Sequence, residues 1–289
     1  MTDQGGLIRV RSIRAIALAV AALFLSASPA HAVVRAGVDG QPAAPSPDPG
    51  LDHLALIAGL SGVYLGEGWV LTAGHVLNVA RNQKKTDALI GGRAFPLKLD
   101  TTVRLESGAD RADLVLVRIV GDPGLPPLDI VSETPAVGAR LVLVGNGPLQ
   151  ETQLTCWDAV NVERPKSAAT PFCGFKWFKT PEGKTNGVQW GTNQVAQVGA
   201  VMPGPQGAKT HVFATVFREA DETPFEAQAG VGDSGGPVFV ESGEGYALAG
   251  VMLVASLRNP TAATSGDRTF AADLSVYRDE IRKVMKAGS

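Results

Sequence analysis

The chain has 289 residues, enough for one large domain or two smaller ones at about 100–200 residues each. Apolar side chains make up 45% and charged ones 19%, a balance that supplies a core and excludes wholesale disorder. A net charge of −2 gives no electrostatic case for a nucleic-acid or membrane partner. Two cysteines permit a single disulfide and, with no Cys/His repeat, exclude both a disulfide framework and a zinc scaffold.

The N-terminus reads as a targeting segment. Arg9, Arg11 and Arg14 form a positive stretch, Ala15 to Leu25 is unbroken apolar sequence, and Ala30-His31-Ala32 is a small-x-small cleavage site. Those apolar residues rise only about 16 Å as a helix, too short for a hydrocarbon core of about 30 Å. Residues 1–32 are therefore expected to be a signal peptide, with the mature chain starting at Val33 and exported to a secreted or periplasmic location. In that oxidising setting Cys156 and Cys173 are expected to pair, a loop closure contributing about 3 kcal/mol on the chain-entropy estimate.

Residues 33–50 are expected to form an extended arm, rich in Gly, Pro and Ala from 37 onward. Short Val- and Leu-rich runs bounded by turn residues then predict strands at 54–58, 69–72, 95–99, 114–120, 140–144, 211–217, 238–240 and 247–254. Residues 156–210 read as long surface loops around Trp157, Trp177 and Trp190. The one helix expected is terminal, capped by Ser275 with Val276, Ile281, Val284 and Met285 as its apolar stripe. A Gly/Pro-rich break at 121–127 suggests a β module over 51–130 and a second, with the closing helix, over 131–289. The fold class is all-β.

The strongest chemical signal is Gly230-Val-Gly-Asp-Ser-Gly-Gly-Pro237. Glycines beside a serine expose its hydroxyl, and successive N–H groups in such a turn converge on a developing oxyanion. The same window satisfies a nucleophile-elbow pattern, but that fold needs a histidine after the serine and none follows Ser234. The order His, Asp, Ser is present. Trp69-Val-Leu-Thr-Ala-Gly-His75 ends an apolar run in a histidine, and Asp113 opens Asp-Leu-Val-Leu-Val-Arg118, with Asp110 a nearby rival. A serine hydroxyl becomes a competent nucleophile when an imidazole takes its proton and a buried carboxylate fixes that imidazole.

These three blocks resemble the signatures of the chymotrypsin/trypsin-like serine protease family, over roughly residues 54–281. The resemblance implies two perpendicular six-stranded antiparallel barrels, an active site between them and a C-terminal helix. It implies His75 as general base, Asp113 as its orienting acid, Ser234 as nucleophile, and the Gly232 and Ser234 amides as oxyanion donors. No metal or organic cofactor is implied, and the partner is a protein or peptide substrate. Val76 and Gly230 stand where many animal members have cysteines. Gln228 stands where trypsin-like members place the acid that binds basic side chains. Leu253 and Ala255 stand where the family usually has Ser and Gly on the pocket wall, and Ala255 suggests a narrower pocket for small or medium apolar P1 residues. In the family a freed apolar terminus often pairs with the acid before the catalytic serine, and Val33 is spaced from His75 much as such a terminus is there. The resemblance therefore implies that a freed Val33 pairs with Asp233. A protease-like binding protein is the alternative from another class.

Overall fold

The computed structural model describes residues 33–36, 43–146, 149–167, 170, 172–178, 188–218 and 225–288. The expected signal peptide (1–32) and residues 37–42 of the expected arm lie outside these. The described residues form mainly antiparallel strands with two α-helices among them, in two β units joined at the site.

The first unit is a closed barrel in which Leu54–Ile57, Leu60–Gly66, Trp69–Ala73, Asp110–Ile119, Arg93–Ser107 and Asp87–Ile90 are neighbours in that order. Its strands bury Val, Leu and Ile on the inner face; Leu71, Leu114 and Leu116 are wholly inaccessible. The second unit is a seven-stranded sheet: Gln189–Gln194, Arg140–Gly145, Pro237–Ser242, Gly245–Ser256, Arg268–Asp273, Lys209–Val216 and Gln197–Pro203. Its two edge strands are successive in the chain, separated by Val195 and Ala196. The Val195 N–H donates to Ala139 O on one side and the Ala196 N–H to Ala214 O on the other. One bent stretch therefore supplies both edges, and the expected six-stranded barrel is observed with one strand divided by that bend.

Three sequence expectations need correction. The described residues within 156–210 are mostly strand rather than surface loop. Leu149–Trp157 and Phe172–Phe178 form an antiparallel hairpin in a separate four-stranded sheet with Glu163–Arg164 and Ala262–Ala263-Thr264. Cys156 and Cys173 face each other across that hairpin and are disulfide-bonded, as expected. A second helix, α1 (Gly74–Gln83), follows the first barrel's third strand directly. In the terminal helix, α2 (Leu274–Ala287), the cap is Asp273, whose carboxylate accepts the Ser275 N–H at 3.1 Å and the Ser275 hydroxyl at 2.6 Å. Tyr277, not the exposed Val276, completes its buried face with Leu274 and Ile281.

Candidate active site

The site is assembled by strand register. Ala73 pairs with Leu114, so the next residues outward, Gly74 and Asp113, lie side by side. A Cβ at Gly74 would sit 2.7 Å from Asp113 Oδ1, so the bare backbone admits the carboxylate. Ala73, at the N-cap of α1, has no side chain to cap the first turn. Asp113 fills that role: its Oδ1 accepts the His75 backbone N–H at 3.0 Å. Its Oδ2 lies 2.6 Å from His75 Nδ1. One buried carboxylate thus holds both the backbone and the ring of His75, and places the proton on Nδ1. The Asp113 N–H in turn donates to Thr210 Oγ1 at 2.9 Å, a support from the second β unit with no sequence signature. Asp110, the rival acid, ion-pairs with Lys209 at 3.0 Å.

Ser234 lies on the turn before Pro237–Ser242. The Gly235 N–H donates to Met252 O, the Met252 N–H to Gly236 O, and the Gly236 N–H to Asp233 O. The Ser61 N–H of the first barrel donates to Ser234 O at 3.0 Å, joining the two units at this turn. Gly232 has φ 112° and Gly235 φ 89°, conformations that suit glycine alone among ordinary residues. The Ser234 hydroxyl donates to Leu253 O at 3.0 Å. The pairing of Gly245–Ser256 shifts register between Met252 and Val254, which takes the Leu253 carbonyl out of the regular ladder.

His75, Asp113, Gly232 and Ser234 all line one cavity of 530 Å³. Leu253 and Ala255 line it too, with Met202, Pro203, Pro205 and Val254 adding apolar surface that the sequence did not point to. Gln228 does not line it. That side chain is fully buried, and both its amide atoms lack a hydrogen-bond partner among the described residues.

Asp233 is wholly buried. Desolvation pushes its carboxyl well above the usual carboxylate range, while the Gly230 and Val33 N–H groups pull it back. Val33 and Asp233, singled out together in the sequence, are therefore neighbours. His53 hydrogen-bonds Tyr64 O at 2.8 Å, and the His211 ring packs against Tyr277, both away from the cavity lining.

A family model described as a trypsin-like peptidase domain matches residues 60–248. The chain belongs to that family. Its fold is similar to that of mouse neuropsin, a serine protease expressed in the limbic system of the brain. That match has 15% identity, covers 78% of this chain and 88% of the other, and has a TM-score of 0.49. It is also similar to the Rv3671c protease in its inactive form: 16% identity, 80% and 87% coverage, and a TM-score of 0.46. No curated protein matches its sequence. Among the described residues of this trypsin-like serine peptidase, no cluster of His, Cys, Asp and Glu could hold a metal. No helix among them is long and apolar enough to cross a membrane.

Proposed function

We propose that the protein is an exported serine endopeptidase that cleaves peptide bonds through an acyl-enzyme. The observation that carries this is the 2.6 Å pair between His75 Nδ1 and Asp113 Oδ2 on the same cavity wall as Ser234. With the proton fixed on Nδ1, His75 Nε2 is the basic nitrogen. In the proposed step Ser234 Oγ turns from Leu253 O to offer its proton to that nitrogen across the shared cavity. The oxygen then attacks the substrate carbonyl carbon while His75 takes the proton. Negative charge passes to the carbonyl oxygen. The neighbouring Gly235, Gly236 and Asp233 N–H groups are used within the turn, which favours the Gly232 and Ser234 amides as its donors. As the C–N bond breaks, His75 returns the proton to the leaving amine. Water, deprotonated by His75, then attacks the ester, and the proton returns to Ser234 as the C–O bond breaks. Asp113 keeps the ring oriented and its cationic form stabilised throughout.

Export fits the Cys156–Cys173 bond, since such bonds persist in oxidising compartments. Signal cleavage before Val33 would place an ammonium group beside buried Asp233, and that charge would hold the carboxylate ionised and its turn ordered. The two β units, 51–130 and 131–289, are read as modules that meet at the catalytic cleft.

The cavity walls favour apolar substrates, with Leu253 and Ala255 the proposed determinants of a small or medium apolar P1 residue. A peptide-library digest with the exported protein should show cleavage after Ala, Val or Leu, all of it lost in Ser234→Ala. Efficient cleavage after Arg or Phe would contradict the specificity, and identical cleavage by Ser234→Ala would contradict the mechanism. One observation favours a second reading, a binding protein of protease form: the Ser234 hydroxyl is hydrogen-bonded to Leu253 O rather than to His75. A folded protein that binds peptides in the cavity without cleaving them would support it.

A further inference from the structure

Residues 33–36 are held on both edges. On one, Val34 pairs with Gln228 and Arg35 with Ala227, and the Ala36 N–H donates to Glu226 O at 2.8 Å. On the other edge no strand among the described residues is paired with them. Instead the Gln150 side chain acts as one: its Oε1 accepts the Arg35 N–H at 2.6 Å, and its Nε2 donates to Arg35 O. A primary amide offers donor and acceptor side by side, the pattern that a paired backbone presents.

Gln150 belongs to the disulfide-stapled hairpin, which also covers the segment's apolar face. Val34 and Ala36 pack in one buried cluster with Phe175 and Trp177 of that hairpin, and with Phe217 and Ala263. The hairpin itself is pressed against Ala262–Thr264. A Cβ on Gly174 would lie 1.8 Å from Ala263 O, so the two strands approach as closely as bare backbone permits. At the other end of the segment, Val33 meets Asp233. The Asp233 carboxylate accepts the Gly230 N–H at 2.8 Å and so closes the turn that presents Gly232 and Ser234.

From this geometry we infer that Gln150 is a positioning residue for the reaction proposed above. It latches residues 33–36 into their groove, and the Cys156–Cys173 hairpin is the clamp that carries the latch. The disulfide fixes the register of the hairpin, the hairpin places Gln150, Gln150 fixes Arg35, and the segment so held keeps Val33 against Asp233. The hairpin touches no reacting atom. Its influence on catalysis passes through the order of the Asp233 turn.

The inference rests on the peptidase reading, and the experiment separates the two. Protein exported from cells expressing the 289-residue sequence is compared with Gln150→Ala, Gln150→Glu and the double variant Cys156→Ser/Cys173→Ser. Two quantities are read: the rate of fluorophosphonate labelling, and hydrogen exchange in 33–36, 226–236 and, as an internal control, 110–119. Gln150→Ala should slow labelling about tenfold, on the scale of one net hydrogen bond, and speed exchange in both 33–36 and 226–236. Exchange in 110–119 should not change. Gln150→Glu keeps the acceptor for Arg35 N–H but loses the donor, so its effect should be intermediate. The disulfide variant should move both readouts in the same direction as Gln150→Ala. Labelling and 226–236 exchange at wild-type levels in Gln150→Ala would overturn the latch. If the parent protein itself fails to label, the peptidase reading fails, while exchange still reports on the latch: faster exchange in both segments supports it, and unchanged exchange overturns it.

Discussion

Asp113→Asn is expected to lower kcat/KM about 10⁴-fold with little change in Tm, the size of loss this substitution produces in a Ser-His-Asp triad. The local geometry explains why so small a change should matter. Asp113 accepts two N–H groups of one residue, the backbone N–H of His75 at Oδ1 and its ring at Oδ2. An asparagine that keeps its oxygen toward the backbone N–H turns its NH₂ toward Nδ1. Donating there, it drives the ring proton to Nε2, the nitrogen that must accept the Ser234 proton. The flipped amide sets NH₂ against the backbone N–H, donor against donor, and also removes one cap from the first turn of α1. The donor–donor contact disfavours the flipped amide, so the unflipped one prevails and leaves the histidine in the wrong form while the shape of the site is kept. Steady-state kinetics on a peptide substrate, with a thermal melt as control, measures this. A fall of less than about tenfold would mean that His75 is not the base.

Gly235→Ala should prevent accumulation of folded protein, with a destabilisation of about 4 kcal/mol or more. Gly235 has φ 89°, and a Cβ there would lie 1.9 Å from Ser61 O and 2.4 Å from Thr72 Oγ1. Neither neighbour is free to retreat. Thr72 Oγ1 donates to Ser61 O at 2.7 Å, and the Ser61 N–H donates to Ser234 O. Both belong to first-barrel strands, so relief requires the turn to separate from that barrel. The substitution therefore tests whether the nucleophile turn is the seam between the two units. Soluble yield and Tm are the readouts, and a melt within a few degrees of the parent would refute the seam.

What the sequence made legible follows from where local chemistry is unambiguous. The Gly230–Pro237 block, the histidine after Trp69–Ala73 and the acid before an apolar strand each depend on near neighbours, and the structure brings their side chains to one cavity. The runs of Val and Leu marked strands because those residues pack on both faces of a barrel wall. Other elements depend on partners remote in sequence. Helix α1 has no capping side chain of its own, because the cap is Asp113, thirty-eight residues from His75. The hairpin of Leu149–Trp157 and Phe172–Phe178 lacks a plain apolar alternation; its Phe175 and Trp177 pack around Val34 and Ala36, partners remote in sequence. Leu60–Gly66 and Asp87–Ile90 went unmarked for the same reason: their pairing is set by the closed barrel rather than by their composition. Gln228 was placed by motif alignment on the substrate pocket, but its side chain is buried outside the cavity lining, while its backbone pairs with Val34.

The most direct measurement of the whole account is covalent. The exported protein is treated with a fluorophosphonate and its intact mass recorded, in parallel with Ser234→Ala and His75→Ala. Addition of one phosphonyl group to the parent, mapped by peptide mass to Ser234 and absent from both variants, is the result expected if a histidine-activated hydroxyl faces this cavity. A parent protein that is folded by its melt yet gains no mass, or a His75→Ala variant labelled at the parent rate, would contradict it.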